Sequence, residues 1–254
     1  MRILTILRAE QFSPHAVEKD RAIMAAVAER LQTAGCQVTM VGEDHLPTDG
    51  DYSLILSMGR RQETLHWLLD RQVPVINAPQ GVARCSRRRL AEVMRSAGIP
   101  MPPDEGTDGY WLKRGDVAGS IDDADVCYAA DRQQLEQLKA DFCRRGISDY
   151  TVSSHVRGRE VKFYGVGTRF FRCYDAKGGA DVSVDGLPAA ALALSSAVGV
   201  SVYGGDCIVR PDGTFCIIDF NDWPSFSRCR EEAAGAICAG FALKKAACGL
   251  ENNE

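Results

Sequence analysis

The chain has 254 residues and a formal net charge of −4, enough length for two or three modest lobes around a substantial core. That mild acidity gives no basic footprint for nucleic acid, because Arg84, Arg87, Arg88 and Arg89 form only a short local cluster. Ten scattered cysteines without a CxxC pair read as reduced, mostly buried thiols, and the four histidines show no zinc spacing.

The apolar start at 3–7 is too short for a signal segment, and no run approaches the roughly 18 residues a membrane span needs, so a cytoplasmic protein is expected. Residues 2–7 form a short apolar strand. Ser13-Pro14 then caps a helix in which Val17, Ile23, Met24, Val27 and Leu31 recur at helical spacing until Gly35. Strands at 36–42, 51–59 and 74–79, with a helix at 60–72, continue the alternation of an open α/β sheet of Rossmann-like kind. No GxGxxG is present to indicate a dinucleotide.

Residues 80–97 read as one helix stopped by Gly98, and the proline-rich stretch 99–103 as a stiff connector at a domain boundary. A strand at 109–115, a glycine-containing turn, a strand near 124–131 and a helix at 132–145 follow. Strands at 151–156, 159–167 and 168–175, an Ala-rich helix at 188–199, a hairpin over 202–226 and a closing helix at 228–247 complete the pattern before the polar tail. Three units are expected: 1–79, Rossmann-like; 80–158, a linker helix and small subdomain; and 159–254, a second subdomain bearing the candidate metal site.

In that hairpin two β-branched and aromatic runs flank Pro211-Asp212-Gly213-Thr214. A loop of two residues or of four gives the same pairing, with Asp206 opposite Asp219 and residues 203–205 passing Asn221. Asp219 and Asn221 share one face of their strand. Directly opposed like charges cost roughly 0.2 to 1 kcal/mol, and a hard cation such as Mg2+ compensates. In the plain alternative, one Asp caps the turn, a bulge puts the pair out of phase and both face water.

Lys113 ends a strand just before Gly115, Asp116 and Gly119, placing a cation beside flexible backbone donors that can cradle phosphates. A solvated surface lysine is the bland reading. Glu160 and Lys162 alternate on one strand face, which a half-polar sheet explains equally well.

The order of these features carries more than any one of them. An Asn-Ala-Pro segment, Arg87 on the helix before Gly98-Ile99-Pro100, Lys113, a strand preceding Gly158, Glu160 and Lys162, then Asp206 and Asp219-x-Asn221, resembles the ATP-grasp superfamily. The likeness covers roughly 76–240 and is strongest to the D-alanine:D-alanine ligases, glutathione synthases and ribosomal-protein glutamate ligases. It implies an ATP-grasp fold preceded by a Rossmann-like open α/β domain. It also implies nucleotide phosphates at Arg87 and Lys113, adenine at the hinge residues 153–156 (Ser154, His155, Val156), and ribose at Glu160. Mg2+, with Mn2+ as an alternative, falls to Asp206, Asp219 and Asn221, with Lys162 or Arg172 neutralising charge and Arg172 and Lys113 in catalytic roles; Arg169 is a weaker candidate. Trp223-Pro224-Ser225-Phe226 takes the place of a substrate-side loop that is often Pro-Gly in the ligases. Ser154 stands where Glu or Gln is usual, and GDVAGS replaces a longer glycine-rich loop.

The implied activity is ATP-dependent activation of a substrate carboxylate as an acylphosphate, attacked by an amine or thiol. A hydroxyl-phosphorylating kinase of the inositol phosphate type and a non-catalytic nucleotide-binding module are the alternatives. The expected partners are ATP, Mg2+ and a small-molecule or peptide carboxylate, with no nucleic acid or membrane and a homodimer as the default assembly. Arg60, Arg61 and the loop 177–187, which holds Gly178, Gly179 and Gly186, are expected to border the substrate cleft. Cys229 is read as a packing thiol, since this chemistry needs no cysteine nucleophile.

Overall fold

A computed structural model describes residues 1–13, 15–115 and 123–250, without the side chains of 241–250. Pro14, Asp116 and Gly119 of the expected phosphate loop, and the ENNE tail therefore lie outside the described residues. The chain opens with β1 (Arg2–Leu7), α1 (Val17–Thr33), β2 (Gln37–Gly42), β3 (Leu54–Ser57), α2 (Gln62–Leu69) and β4 (Val75–Ile76). The four strands make a parallel sheet in the order β2-β1-β3-β4. Apolar residues alternate between its faces: Ile3, Leu54 and Leu56 pack toward α1, and Leu4, Ile6 and Ile55 toward Leu68 of α2. A parallel sheet buried on both faces needs this near-continuous apolar sequence.

The single helix expected at 80–97 is two, α3 (Pro79–Arg84) and α4 (Arg87–Ser96), because Ser86 takes extended angles (φ −60°, ψ 138°). Next comes a small antiparallel sheet, β5 (Tyr110–Arg114), β6 (Val126–Ala129) and β7 (Tyr150–Ser154), ordered β6-β5-β7 and backed by α5 (Arg132–Arg144). Asp131 starts α5 by accepting from the Gln134 backbone N–H, while the Gln134 side chain accepts from the Ala130 N–H, a reciprocal cap. Tyr110, Leu112, Leu135, Phe142 and Ile147 give this unit its own core.

The large sheet consists of β8 (Arg159–Val166), β9 (Phe170–Asp175), β10 (Val202–Val209) and β11 (Phe215–Asp222), antiparallel in the order β11-β10-β8-β9. One face packs Val161, Phe163, Cys207 and Phe220 against α4 and α6 (Leu187–Val198). The other sends Tyr164, Val166 and Val202 into the same core as α1, Trp223, Phe226 and the Ala233, Ala234 and Ile237 side chains of α7 (Arg230–Leu250). First lobe and large sheet thus share a core. Asn77 of the Asn-Ala-Pro segment reinforces the join: it is buried, accepts from the Ser201 and Val202 N–H groups at 2.9 Å, and donates to the Val202 carbonyl at 2.7 Å.

Candidate nucleotide and metal site

The hairpin reaches the expected pairing by an unexpected route. Asp206 does face Asp219, and Gly204 faces Asn221, but nearer the turn Cys207 pairs with Ile217 and Val209 with Phe215. The turn therefore holds Arg210 to Thr214, closed by Arg210 N–H to Thr214 O, and left alone it would set Asp206 opposite Ile218. A bulge at Ile218 restores the phase. Instead of separating the two carboxylates, the irregularity brings them together. It also frees the Ile218 carbonyl, which accepts the Lys113 ammonium at 3.1 Å.

Around this pair the charges are only partly balanced. Lys162, directly opposite Asp206 on β8, donates to it at 2.8 Å, and Asn221 Nδ2 donates to Asp219 at 2.8 Å. Burial raises the Asp206 carboxyl above its ordinary range, Lys162 works against that, and Asp219 and Glu160 add to it. Burial works against the Lys162 charge, but Asp206 and Glu160 hold it above the ordinary lysine value. Burial and then Arg87 lower Lys113, with Asp219 and Asp206 opposing. Two carboxylates and a carboxamide oxygen fit a hard cation that completes its sphere with phosphate and water. Among the described residues no three His, Cys, Asp or Glu side chains gather to hold a metal, so this mixed set is the candidate.

Beside the hairpin, a cleft of about 830 Å³ opens between the small and large sheets, lined by Trp111, Lys113, His155, Glu160, Lys177 and Ile218 among others. That volume is in the range of small-molecule sites, roughly 300 to 1,000 Å³. Trp111 Nε1 donates to His155 Nδ1 at 3.1 Å, and Trp111, Tyr128 and His155 stand with ring centres 5.4 to 6.2 Å apart, giving an aromatic wall. The hinge backbone is more committed than expected: Ser154 N–H bonds Pro103 O and His155 N–H bonds Gly109 O. Among the described residues the Val156 N–H has no partner, so it is the hinge donor left for a ligand.

Comparison with known proteins now bears on this arrangement. No protein-family model matches the chain, and no curated protein does. Solved structures match along nearly its whole length. A RimK-domain ATP-grasp protein from Sphaerobacter thermophilus aligns with TM-score 0.64 at 19% identity, over 94% of this chain and 98% of that one. The D-alanine–D-alanine ligase from Coxiella burnetii gives 0.67 at 13%, over 92% and 90%. The ATP-grasp ligase PsnB, complexed with a precursor peptide and AMPPNP, gives 0.65 at 12%, over 95% and 96%.

The chain has the ATP-grasp fold. The two sheets that enclose the cleft are the two halves of an ATP-grasp unit, and β1 to β4 form the Rossmann-like domain before it. Of the residues singled out in the sequence, Lys113, Glu160 and the hinge line the cleft; Lys162, Asp206, Asp219 and Asn221 cluster on the hairpin beside it, where Asp219 lines a second pocket with Arg87 and Lys113. Arg87 stands close to Lys113, donating to the Arg114 carbonyl at 3.0 Å. Arg172 is not brought to the cluster. It lies on the outer strand β9 and pairs with Glu232 of α7 at 2.9 Å; Arg169 is exposed on the β8–β9 turn. Two members of the Trp223–Phe226 segment are core residues: Trp223 and Phe226 are fully buried, at left-handed φ of 44° and 48°. Cys229 is buried too, its thiol pushed up to about 11 by desolvation, as suits a packing residue.

Sequence reasoning missed a buried ionic frame behind the site. Asp222, wholly buried, takes Arg60 at 2.5 Å and Arg8 at 3.8 Å. Arg8 also donates to the carbonyls of Asp222 and Trp223, to the Met58 carbonyl and to Ser13. Burial lowers Arg8; burial also works against the charge on Arg60, but Asp222 holds it above its ordinary value. Glu43, buried beneath the first sheet's loops, accepts from the N–H groups of Ala9, Arg60 and Arg61 at 2.6 to 2.9 Å. The partners lie far apart in sequence, so no local motif announces them.

Proposed function

We propose that the chain is an ATP- and Mg2+-dependent ligase that activates a carboxylate for attack by an amine or thiol. The observation that carries this reading is the Asp206–Asp219 pair, with Asn221, Lys113 and Lys162, beside a nucleotide-sized cleft that Lys113 and Ile218 line, in an ATP-grasp fold. The Trp111–His155 wall and the Val156 N–H receive the base, and Glu160 the ribose hydroxyls. Lys113, Lys162 and Arg87 hold the phosphates, where guanidinium and ammonium donors count most because closure excludes water.

Asp206, Asp219 and Asn221 would hold the ion, whose chemistry is to bridge and neutralise phosphate oxygens. The carboxylate oxygen attacks the γ-phosphorus, the bond to ADP breaks, and the resulting acylphosphate yields phosphate when the nucleophile adds to its carbon. This chain's part is positioning and charge neutralisation, not covalent participation.

A screen of carboxylates and amines for ADP release, repeated with hydroxylamine as nucleophile, tests the reading. A hydroxamate product supports it. A stable phosphate ester made without a second substrate replaces it with the kinase, and nucleotide binding without turnover on any acceptor replaces it with a binding module.

A further inference from the structure

Resting on the ligase reading, we infer that the activated substrate carries a second anionic group, a carboxylate or phosphate remote from the reacting carboxylate, received by Arg61 and Arg89. The site is a pocket of about 600 Å³, separate from the nucleotide cleft, between the first lobe and the α3–α4 junction. Its wall includes Gln11, Arg60, Arg61, Ser86, Arg89 and Asp222. Arg60 and Cys85 of this wall lie near enough to Asp219 to feel its charge, so the pocket opens beside the metal end of the hairpin, which is where the reacting carboxylate must arrive.

The charges of the pocket are unequally spent. Arg60 is committed to Asp222, and the lining Asp149 accepts from Arg88 at 3.4 Å. Arg61 meets Asp44 at 2.5 Å through one terminal nitrogen, yet its Nε is buried without a hydrogen-bond partner. Arg89 has no ion pair or hydrogen bond among the described residues. Glu63, exposed at the rim, is the lining carboxylate in the same position. Helices α2 and α4 both begin at this pocket, at Arg61 and Ser86, and neither start has a side-chain cap. Unspent guanidinium donors and the uncapped start of α4 together suit an oxyanion. Glu43 fixes the geometry by binding the Arg60 and Arg61 backbone, so the donors are held in place before the ligand arrives.

The test uses the full chain with AMPPNP and Mg2+, titrated calorimetrically with glutarate, 3-phosphonopropionate and valerate. The inference expects glutarate or 3-phosphonopropionate to bind at least about tenfold more tightly than valerate, and the better of the two tells carboxylate from phosphate. In R61Q/R89Q that preference should vanish while AMPPNP affinity stays within about twofold; R89Q alone, at an exposed side chain, serves if the double variant fails to fold. Equal binding of valerate, no saturable binding of either dianion, or an unchanged preference in the variants overturns it. Arginine-dependent dianion binding without AMPPNP binding would refute the ligase reading and leave the pocket assignment standing. ADP release with monoanionic acids alone would do the reverse.

Discussion

Asp219 and Asp222 belong to the same strand and meet opposite surroundings. Asp219 faces another carboxylate; among the described residues the side-chain hydrogen bonds to the pair come from the Lys162 ammonium and the Asn221 carboxamide, with Lys113 near both. Asp222 is buried between two guanidinium groups, of Arg60 and of Arg8, which also pairs with Asp20. The first arrangement leaves negative charge to be completed by a ligand; the second completes its charge internally and joins the first lobe to the hairpin. One β-strand therefore carries an unbalanced carboxylate pair, the proposed ion site, and, at its end, the ionic join to the first lobe.

Removing the cohesive carboxylate should have the largest effect. Asp222→Ala takes away the ion-pair partner of buried Arg60 and leaves Arg8 with Asp20 alone, and should cost about 3–5 kcal/mol in urea unfolding; a loss under about 1 kcal/mol would end that distinction. Asp219→Asn should instead lower Mg-ATP turnover by about 100-fold or more. Stability should change by no more than about 1 kcal/mol, upward if at all, since a like-charge pair is relieved. Unchanged turnover would refute the metal assignment.

The fold was legible wherever periodicity spoke. Apolar β-branched runs located every strand of both larger sheets, and Gly35 located the end of α1, which begins at Val17, after the Ser13-Pro14 expected to cap it. Ser86 broke the helix at 80–97 without a Gly or Pro to give warning. The Asp206–Asp219 pairing was read correctly although the turn was not, because two offsets cancel: a longer loop shifts the register and Ile218 shifts it back. Only long-range pairing reveals that. Arg8, Glu43 and Asp222 were unreadable for a related reason, as a buried charge looks like a surface one until its partner, 214 residues away for Arg8 and the Asp222 carbonyl, is known.

Smaller effects sharpen the contrast further. Glu43→Gln keeps the shape but weakens the acceptance of three backbone N–H bonds, and should cost about 1–3 kcal/mol while raising KM for the acceptor. At Lys113 the change is one of pH. Burial lowers its pKa below the ordinary lysine range, so it loses its proton earlier than a free lysine as pH rises. ATP affinity of the free protein, followed by calorimetry, should decline on an alkaline limb below that value, and Lys113→Arg should remove the limb because arginine stays charged.

The separate core of the small sheet has a mechanical meaning. Tyr110, Leu112, Leu135, Phe142 and Ile147 pack among themselves, whereas the first lobe and the large sheet are fused through α1, α7 and the Trp223–Phe226 segment. A molecule with one fused frame and one independently cored flap has one natural degree of freedom, rotation of the flap about its two connecting strands. The second of these passes through Gly158, where a β-carbon would stand 2.4 Å from the Val209 carbonyl oxygen, so the axle can carry no side chain. Trp111, Lys113 and His155 ride on the flap or its connector, and Asp206, Asp219 and Glu160 on the frame. Each swing would therefore bring the proposed base-binding and phosphate-binding side chains to the proposed metal ligands as a unit.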